Sequence, residues 1–424
     1  MNAFIKRLAV SAISFFAVLP ALNGQDTGVI TLFGHVTDSR TEESLFFSSV
    51  SLSGTKITNV SNADGLFSFK IPAGTAEGSQ VQISHLGYLT RSLPVSAFEG
   101  HSLEDPLEIK MTQVSVMLDP ASVRALDPYI LLRSAFYKVR DNFPDERTGM
   151  TAFYREMVKK GTAKYLVLNE AVIDIDKGSY TGISMDRVGI FKGRGSTNYD
   201  TSDTLFVKLQ GGISTALQLD MAKDPFLGFS VDEIDDYYDF AMGGVESNDE
   251  RSFYVVEFSP DPKAKEILFK GRIFIETESL AIGRVEFSMA LEGREEEASN
   301  LFVVKRPSGT RFFVNNADYI ISYKCFDGKW YYDYCRADVS FTTRKIHSLF
   351  KSNFSVTEEM AVTDHKKGGI AITPAGRVKF KDVLSDRVAD FTDDGFWEDY
   401  NIIEPDQSID VLIRKIVRQL NRRN

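Results

Sequence analysis

The chain has 424 residues, with 49 lysines and arginines against 59 aspartates and glutamates, and a formal net charge of −10. An acidic protein of this size is a poor partner for nucleic acid, because phosphates favour a basic protein face. At this length, and with 43% hydrophobic residues, the chain exceeds one typical domain and can build at least two cores. We therefore expect two folded domains and no nucleic-acid partner.

Residues 1–24 have the pattern of a cleaved secretory signal. Lys6 and Arg7 form a short basic region, residues 8–22 are mostly apolar, and Gly24 is a small residue at the end of the segment. The alternative is a retained membrane anchor. The apolar run is shorter than the roughly 20 residues that span a bilayer, which favours the cleaved signal. No cysteine follows it, which disfavours a lipoprotein. We expect an exported protein, periplasmic or outer-membrane associated, with no transmembrane span in the mature chain.

The segment after the signal has the two-residue period of half-buried strands. The runs 32–37, 49–52 and 66–71 alternate apolar with polar or small side chains, and Pro72 ends the last of them. Residues 61–65, with the sequence SNADG, supply a turn, because Asn and Asp tolerate left-handed conformations and Gly has no Cβ. The pattern predicts a small β-sandwich.

This stretch resembles the regulatory-like domain of carboxypeptidase D, a transthyretin-like β-sandwich of the seven-stranded type. The resemblance rests on Gly34, Val36, Asp38, Leu45, Val50, Leu52, Gly54, Thr55, Asn62, Asp64, Gly65, Phe67, Ile71, Pro72, Leu86, Gly87 and Tyr88. It implies a scaffold or binding module at residues 30–112, with no activity of its own. Such modules are common in cell-envelope proteins of the Bacteroidetes type, including many outer-membrane receptors. Phe46 and Phe47 stand where the family often has proline.

We place a linker at residues 113–126 and a second domain at 127–424. Asp127 followed by Pro128 predicts a helix near 128–142, because Asp caps a helix well and Pro fits its first position. Long antiparallel strands are then expected, from their Val, Ile, Phe and Tyr content, at 152–159, 163–176, 251–259, 267–276, 284–291, 312–326 and 330–343. The predicted fold is mainly β, a sandwich followed by a larger curved antiparallel (α+β) sheet domain with a few helices.

Residues 237–289 also resemble the curved half-barrel of lipoprotein-carrier and similar periplasmic proteins. In that class a strand with the pattern Gly-x-Ile-x-Ile pairs with one after a Thr-x-Ser-x-x-Ile turn. The matching residues here are Gly271, Ile273, Ile275, Thr277, Ser279 and Ile282. The resemblance implies a curved antiparallel sheet in the second domain and assigns no site residues.

Two further helices are expected in the second domain. Ile213, Leu217 and Met221 share helical spacing, and a helix near 213–223 is either a lid or plug over the concave face of the sheet or a seal at one end of the core. Residues 408–421 carry an apolar stripe opposite several arginines. That helix either packs on its own domain or lies on anionic lipid or a partner.

No catalytic or cofactor-binding pattern is present in the sequence. It lacks a Gly-x-Ser-x-Gly elbow, a His-Glu-x-x-His helix and a phosphate-binding loop. His101 and Glu104 have the spacing of a zinc pair, but the next histidine is His347, in a distant segment. Residues 193–196 read as a glycine turn in a hairpin loop. We predict no catalytic, cofactor-binding or metal-binding residues, no cofactor and no enzyme activity.

Cys325 and Cys335 flank Asp327-Gly328, a strong signal for a two-residue hairpin turn. In such a hairpin Cys335 faces Ile320, and the two cysteines are about 17 Å apart at about 3.4 Å per residue. A disulfide needs Cα atoms within about 7 Å. The hairpin and the disulfide therefore exclude one another, and we favour the hairpin, with both thiols buried.

Aromatic residues supply the candidate contact surface. Tyr237, Tyr238, Trp330, Tyr332 and Trp397 lie in sheet or near-loop segments and suit a groove for a protein, lipid or glycan, although core packing is the commoner use. Two functions remain. One is a non-catalytic envelope scaffold or binding protein that holds an outer-membrane or periplasmic partner; the other is a periplasmic carrier of an apolar lipid or lipoprotein-like ligand in a half-barrel cavity. A filled sheet face favours the first and an apolar cavity the second.

Overall fold

In this computed structural model the described residues are 28–76, 78–114, 126–162, 164–197, 212–248, 250–302, 308–346, 350–379, 382, 384–391 and 399–405. The predicted signal peptide, the predicted helix 408–421, Trp397 and most of the predicted linker lie outside them. Among these residues no helix combines the length and apolar character that crossing a membrane requires.

The N-terminal unit is a two-layered β-sandwich, as the sequence predicts. Its strands are β1 Val29–Asp38, β2 Ser49–Leu52, β3 Thr58–Val60, β4 Leu66–Pro72, β5 Gln80–Ser84, β6 Arg91–Pro94 and β7 Leu107–Met111. One sheet has the order β4-β1-β7 and the other β3-β2-β5-β6, with β1 and β7 parallel and the other neighbours antiparallel. The alternating side chains of the two sheets, including Val36, Val50, Phe67 and Phe69, fill the core between them.

The SNADG turn has the chemistry that the sequence indicates. The Asn62 side-chain oxygen accepts hydrogen bonds from the backbone N–H groups of Asp64 (3.0 Å) and Leu66 (2.9 Å). Gly65 has φ +73°, and a Cβ there would lie 2.4 Å from the Val36 carbonyl oxygen. Only glycine fits this position without moving β1.

The second unit is built on one open, eleven-stranded antiparallel sheet. Its strands are β8 Thr148–Lys160, β9 Lys164–Lys177, β10 Arg187–Thr197, β11 Tyr238–Ser247, β12 Ser252–Pro260, β13 Phe269–Glu276, β14 Ile282–Met289, β15 Thr310–Phe326, β16 Lys329–Lys345, β17 Lys351–Lys366 and β18 Arg377–Val378. The spatial order is β11-β12-β13-β14-β15-β16-β17-β8-β9-β10-β18. A meander from β11 to β17 is thus joined through β17 to the earlier hairpin strands β8–β10.

The sequence misses some of these strands for a physical reason. Residues 193–196, expected in a hairpin loop, lie within β10. The glycines are needed there because a Cβ on Gly193 would lie 2.4 Å from Val388 Cγ2, in the short helix that covers the strand. In β17, Glu358 and Glu359 interrupt the apolar pattern but both are buried. Close packing and buried charge remove the alternation that identifies a strand.

In the part of the chain that the structure describes, four α-helices accompany the sheet: α1 Pro128–Asn142, α2 Ile213–Gln218, α3 Glu295–Phe302 and α4 Leu384–Arg387. The structure also has 3₁₀ turns at Val95–Phe98, Pro225–Leu227, Ile234–Asp236 and Val388–Phe391. Helix α1 begins as predicted, with the Asp127 carboxylate accepting from the backbone N–H groups of Tyr129 and Ile130. Helix α2 is shorter than the predicted 213–223, because the chain turns at Asp220 to join an ion network described below.

The hairpin between β15 and β16 turns at Asp327 and Gly328, both with positive φ, and both cysteines are free thiols. Two details of the prediction are wrong. Cys335 pairs with Ile321 instead of Ile320, because a β-bulge shifts the register between Ser322 and Tyr323. Cys335 is buried, but Cys325 is only half-buried since it lies near the hairpin tip.

The sandwich packs on one face of the large sheet, which we call the sandwich-side face. We call the opposite face the helix-side face. Phe47 adopts φ +61°, unusual for a bulky residue, and its ring lies 4.0 Å from that of Tyr334 in β16. The Thr58 hydroxyl donates to the Val362 carbonyl at 2.8 Å, and the Asn59 side-chain N–H donates to the Ile402 carbonyl at 2.9 Å. These contacts join sandwich and sheet into one packed unit.

Candidate functional site

A cleft of about 440 Å³ lies between the sandwich and the sheet. It is bounded by β2, β5 and the loop after β2 on one side, and by parts of β12–β16 on the other. Its lining includes Phe47, Ser49, Ser51, Lys56, Gln82, Ser84, His85, Glu250, Arg251, Phe253, Gly283, Arg284, Ser322, Lys324, Phe326, Asp327, Trp330 and Asp333. Volumes of this size are typical of small-ligand sites.

The sandwich wall of the cleft includes a group of small polar side chains on β2 and β5. Ser49 and Ser51 alternate along β2 with Val50 and Leu52, which point into the sandwich core. On β5, Gln82 and Ser84 alternate in the same way with core residues. The two-residue period of the strands therefore turns hydroxyl and amide groups toward the sheet.

The sheet wall contains two β-bulges. Between β15 and β16, Tyr332 and Tyr334 face consecutive residues, so Asp333 is the extra residue. Between β13 and β14 the extra residue is Gly283, where a Cβ would come 2.5 Å from the ring of Phe253. A bulge redirects side chains and is common beside functional sites. Here it brings the Asp333 carboxyl to the same cleft as Lys324.

Lys324 is half-buried and Asp333 is buried, and their charged groups do not pair with each other. The Lys324 ammonium donates to the Ser49 hydroxyl at 2.6 Å, and burial lowers the pKa of this lysine. Asp333 is 6% exposed, and burial raises its pKa to about 6, although the positive charge of Lys324 opposes the rise. The two side chains do not form an ion pair, and the Lys324 ammonium bonds to Ser49 instead. The nearby Ser322 hydroxyl is buried and has no hydrogen-bond partner.

Two other basic side chains of the cleft have an acidic neighbour. Lys56 lies 3.4 Å from the Asp327 carboxylate and 4.7 Å from the centre of the Tyr331 ring. The Arg284 guanidinium is 2.7 Å from Glu286 and also lies over the Phe47 ring. Four basic and three acidic side chains line the cleft, so its charge is nearly balanced.

His85 and Arg251 complete the polar lining. Burial, followed by the charge of Arg284, lowers the pKa of His85 to about 4, so this imidazole is neutral at physiological pH. The Arg251 guanidinium lies 5.2 Å from the centre of the Trp330 ring. The cleft therefore offers hydrogen-bonding groups more than free ring faces.

The helix-side face of the sheet is filled by the segment 212–236. Its buried side chains Ile213, Ala216, Leu217, Leu219, Met221, Ala222, Phe226 and Ile234 belong to the main core. The Tyr332 hydroxyl donates to the Ala216 carbonyl at 2.6 Å, and the Tyr323 hydroxyl donates to Asp220 at 2.8 Å. Asp220 also pairs with the buried Lys177 at 2.7 Å. The segment is thus an integral part of the core.

A pair of buried carboxyl groups lies on this helix-side face. Glu156 in β8 and Glu358 in β17 are directly opposite one another and are 8% and 7% exposed. Burial raises the pKa of Glu156 to about 7, against a weak hydrogen bond from Asn169. Burial and then the charge of Glu156 raise the pKa of Glu358 well above its ordinary value. Like charges at such positions repel, so at least one carboxyl is protonated near neutral pH.

The four predicted contact residues that the structure describes do not share one surface. Tyr237 packs on Phe229 at 4.7 Å, and Tyr238, 2% exposed, packs against Phe226 at 4.7 Å. Trp330 lines the cleft. Tyr332, 1% exposed, binds the helix α2 carbonyl.

Lys324, Asp333 and Ser49 were not identified from the sequence. For the sandwich wall, the sequence signal that could have been used is the alternation of Ser49 and Ser51 with apolar residues in β2. Nothing local to residues 322–333 indicated that a bulge would turn Asp333 into a cleft.

Comparison with known proteins identifies the sandwich. Its residues 32–120 match the model of the CarboxypepD_reg-like domain. The sandwich is a CarboxypepD_reg-like domain. This is the family that the motif residues from Gly34 to Tyr88 resemble, and the match does not extend to the large sheet. No curated protein matches the chain.

Three solved structures are similar to 57–60% of the chain. A DUF1329 family protein from Desulfovibrio piger has 11% identity and TM-score 0.23, with 60% of this chain and 96% of that chain covered. A LolA superfamily protein from Nitrosomonas europaea has 12% identity and TM-score 0.22, with 57% and 94% covered. MucB in complex with MucA(peri) has 11% identity and TM-score 0.18, with 57% and 100% covered. TM-scores this low do not establish a common overall fold.

Proposed function

We propose that the protein is an exported, non-catalytic binding protein of the cell envelope. Its ligand or partner occupies the cleft between the CarboxypepD_reg-like domain and the sheet. The cleft itself carries the proposal: it is a concave site of about 440 Å³ with walls from both units. Sites at the junction of two units are frequent, because side chains from separate parts of a chain converge there. Export rests on the signal-like segment 1–24. Location in the periplasm or at the outer membrane is part of the proposal.

The arrangement of the sheet favours this function over the apolar carrier. A carrier needs an apolar cavity, but the helix-side face is packed with side chains of the segment 212–236. Opening it would break the hydrogen bond from Tyr332 to Ala216 and uncover the buried pair of Lys177 and Asp220. Exposing such a core and separating a buried ion pair costs several kcal/mol. The cleft on the other face needs no such rearrangement.

Site-specific photo-crosslinking in the cells that make the protein tests the proposal. A photoreactive residue replaces Gln82 on the sandwich wall or Glu250 on the sheet wall, since both line the cleft. Matched controls are Glu99, exposed on the sandwich, and Lys263, exposed on the sheet unit. We expect the same adduct from both cleft positions and from neither control.

Three results would contradict the proposal. An adduct from the sandwich position alone would make the CarboxypepD_reg-like domain an independent adaptor. Equal adducts from cleft and control positions would exclude the cleft as the site. Hydrolysis of an ester or amide probe that is lost in Ser49→Ala would contradict the non-catalytic assignment, because Ser49 contacts the Lys324 ammonium.

A further inference from the structure

We infer that the cleft binds a neutral, hydroxyl-rich chain, such as a short oligosaccharide, and that one ligand hydroxyl bridges Lys324 and Asp333. The inference rests on the proposed function, because it names the ligand class of the same cleft. The observation behind it is a half-buried lysine and a buried aspartate that line one cleft without forming an ion pair with each other.

A ligand hydroxyl group can form hydrogen bonds to both Lys324 and Asp333. It donates one hydrogen bond and accepts two, whereas the Lys324 ammonium only donates and an ionised Asp333 only accepts. One ligand hydroxyl can therefore accept from Lys324 and donate to Asp333. The Ser322 hydroxyl beside them is buried without a partner and can bind a neighbouring hydroxyl. Buried polar groups normally have partners, whereas the Ser322 hydroxyl has none and the Lys324 ammonium uses only one of its three N–H groups, on Ser49.

Net charge argues against a strongly ionic ligand. The lining has four basic and three acidic side chains, and Lys56 and Arg284 already pair with Asp327 and Glu286. A polyanion would meet the buried carboxyl of Asp333, and a polycation would meet Lys324. A ligand without net charge avoids both repulsions while satisfying both groups.

An apolar ligand is disfavoured because other side chains cover the aromatic rings that line the cleft. Arg251 covers the Trp330 ring, and Arg284 together with Tyr334 covers Phe47. The opposite wall presents Ser49 and Ser51 and the amide of Gln82. Burying these groups against hydrocarbon leaves them without hydrogen bonds, which costs about 1–3 kcal/mol each. Hydroxyl groups of a ligand replace those bonds.

Isothermal titration calorimetry of the full mature chain tests the inference. The probes are maltotriose, cellotriose and N,N′-diacetylchitobiose as neutral sugars, trigalacturonate as an acidic sugar, and triglycine as a zwitterionic peptide. We expect saturable binding of at least one neutral sugar. Asp333→Asn and Lys324→Met should each weaken it about tenfold or more, because a hydrogen bond to a charged group contributes about 1.5–3 kcal/mol.

Matched controls separate the site from general effects. Lys270→Met and Glu292→Gln alter an exposed ion pair that does not line the cleft, and should leave affinity unchanged. Ser51→Trp keeps both charged groups but fills the cleft, and should abolish binding. Thermal unfolding of each variant shows whether it is folded, and a folded Ser51→Trp protein keeps the test decisive if a charge variant does not fold.

Other outcomes overturn the inference. Binding only by trigalacturonate or triglycine would assign another ligand class. No binding by any neutral sugar, or equal binding by Asp333→Asn and the unaltered protein, would also refute it. If cleft crosslinks still form in those cases, the proposed binding function stands and only the ligand class is wrong.

Discussion

Replacing Glu156 by Gln should stabilise the protein at alkaline pH and have much less effect at acidic pH. The change removes the charge from the Glu156–Glu358 pair while keeping the size of the side chain. Glu156 is 8% exposed, and burial raises its pKa from the ordinary 4.5 to about 7. The folded protein therefore holds a proton on this group that the unfolded chain has already released.

The size and sign of the effect follow from proton linkage. Below pH 4.5 the carboxyl is protonated in both states, and ionisation costs no stability. Between pH 4.5 and about 7 the unfolded chain gains from ionisation while the folded protein does not, so stability falls as pH rises. At about 1.4 kcal/mol per pKa unit the full loss is about 3 kcal/mol. Glutamine does not ionise, so the variant should recover up to that amount at pH 8.

Urea unfolding at pH 4 and pH 8, followed by tryptophan fluorescence, measures this difference. Glu359→Gln is the matched control, because Glu359 follows Glu358 in β17 but points to the sandwich side, where it accepts from the Tyr334 hydroxyl at 2.6 Å. The Glu359→Gln variant should be less stable than the unaltered protein at pH 8, because the substitution weakens this hydrogen bond. A Glu156→Gln variant with the same effect at both pH values, or a less stable one at pH 8, would refute the account of the buried pair.

Three further predictions concern groups that the sequence alone did not place. Glu170→Gln weakens the contact of a fully buried carboxylate with two guanidiniums, each 2.6 Å away, and should cost about 3–5 kcal/mol in urea unfolding at pH 7. Tyr332→Phe leaves an α2 carbonyl unpaired and should cost about 1–3 kcal/mol, with faster amide exchange confined to residues 212–224. Cys325 should react with a thiol reagent in the folded protein. Cys335, whose pKa burial raises to about 12, should react only after unfolding, and intact-mass analysis should show no disulfide.

The parts of the fold that local chemistry decides could be predicted from the sequence. Asn62 and Gly65 build the turn that their residue types favour, and Asp127 caps α1. The Asp327-Gly328 hairpin forms for the same reason. Each signal is contained within a few residues, so no knowledge of the distant chain is needed.

Strands β10 and β17 were missed because their residues serve distant contacts. Gly193 is small to admit Val388, and the acids of β17 are buried among groups from other strands. Alternating apolar and polar residues identify a strand that has one face in the core and the other in water. A strand with both faces covered lacks this alternation and is not recognised. In β17 the sandwich covers one face and the segment 212–236 the other, whereas in β10 the turn Val388–Phe391 packs on the strand.

The cleft was missed for a related reason, which also bears on how the protein works. Ser49 is an outward-facing strand residue, and in an isolated sandwich it would face water and bind nothing in particular. Its partner Lys324 lies 275 residues further along the chain, and Asp333 reaches the same place only through a bulge. Phe47, held at φ +61° against Tyr334, fixes the sandwich at the distance where these groups meet. The CarboxypepD_reg-like domain therefore contributes one wall of a cleft that exists only when the sheet supplies the other wall, and the sequence of the domain alone does not reveal it.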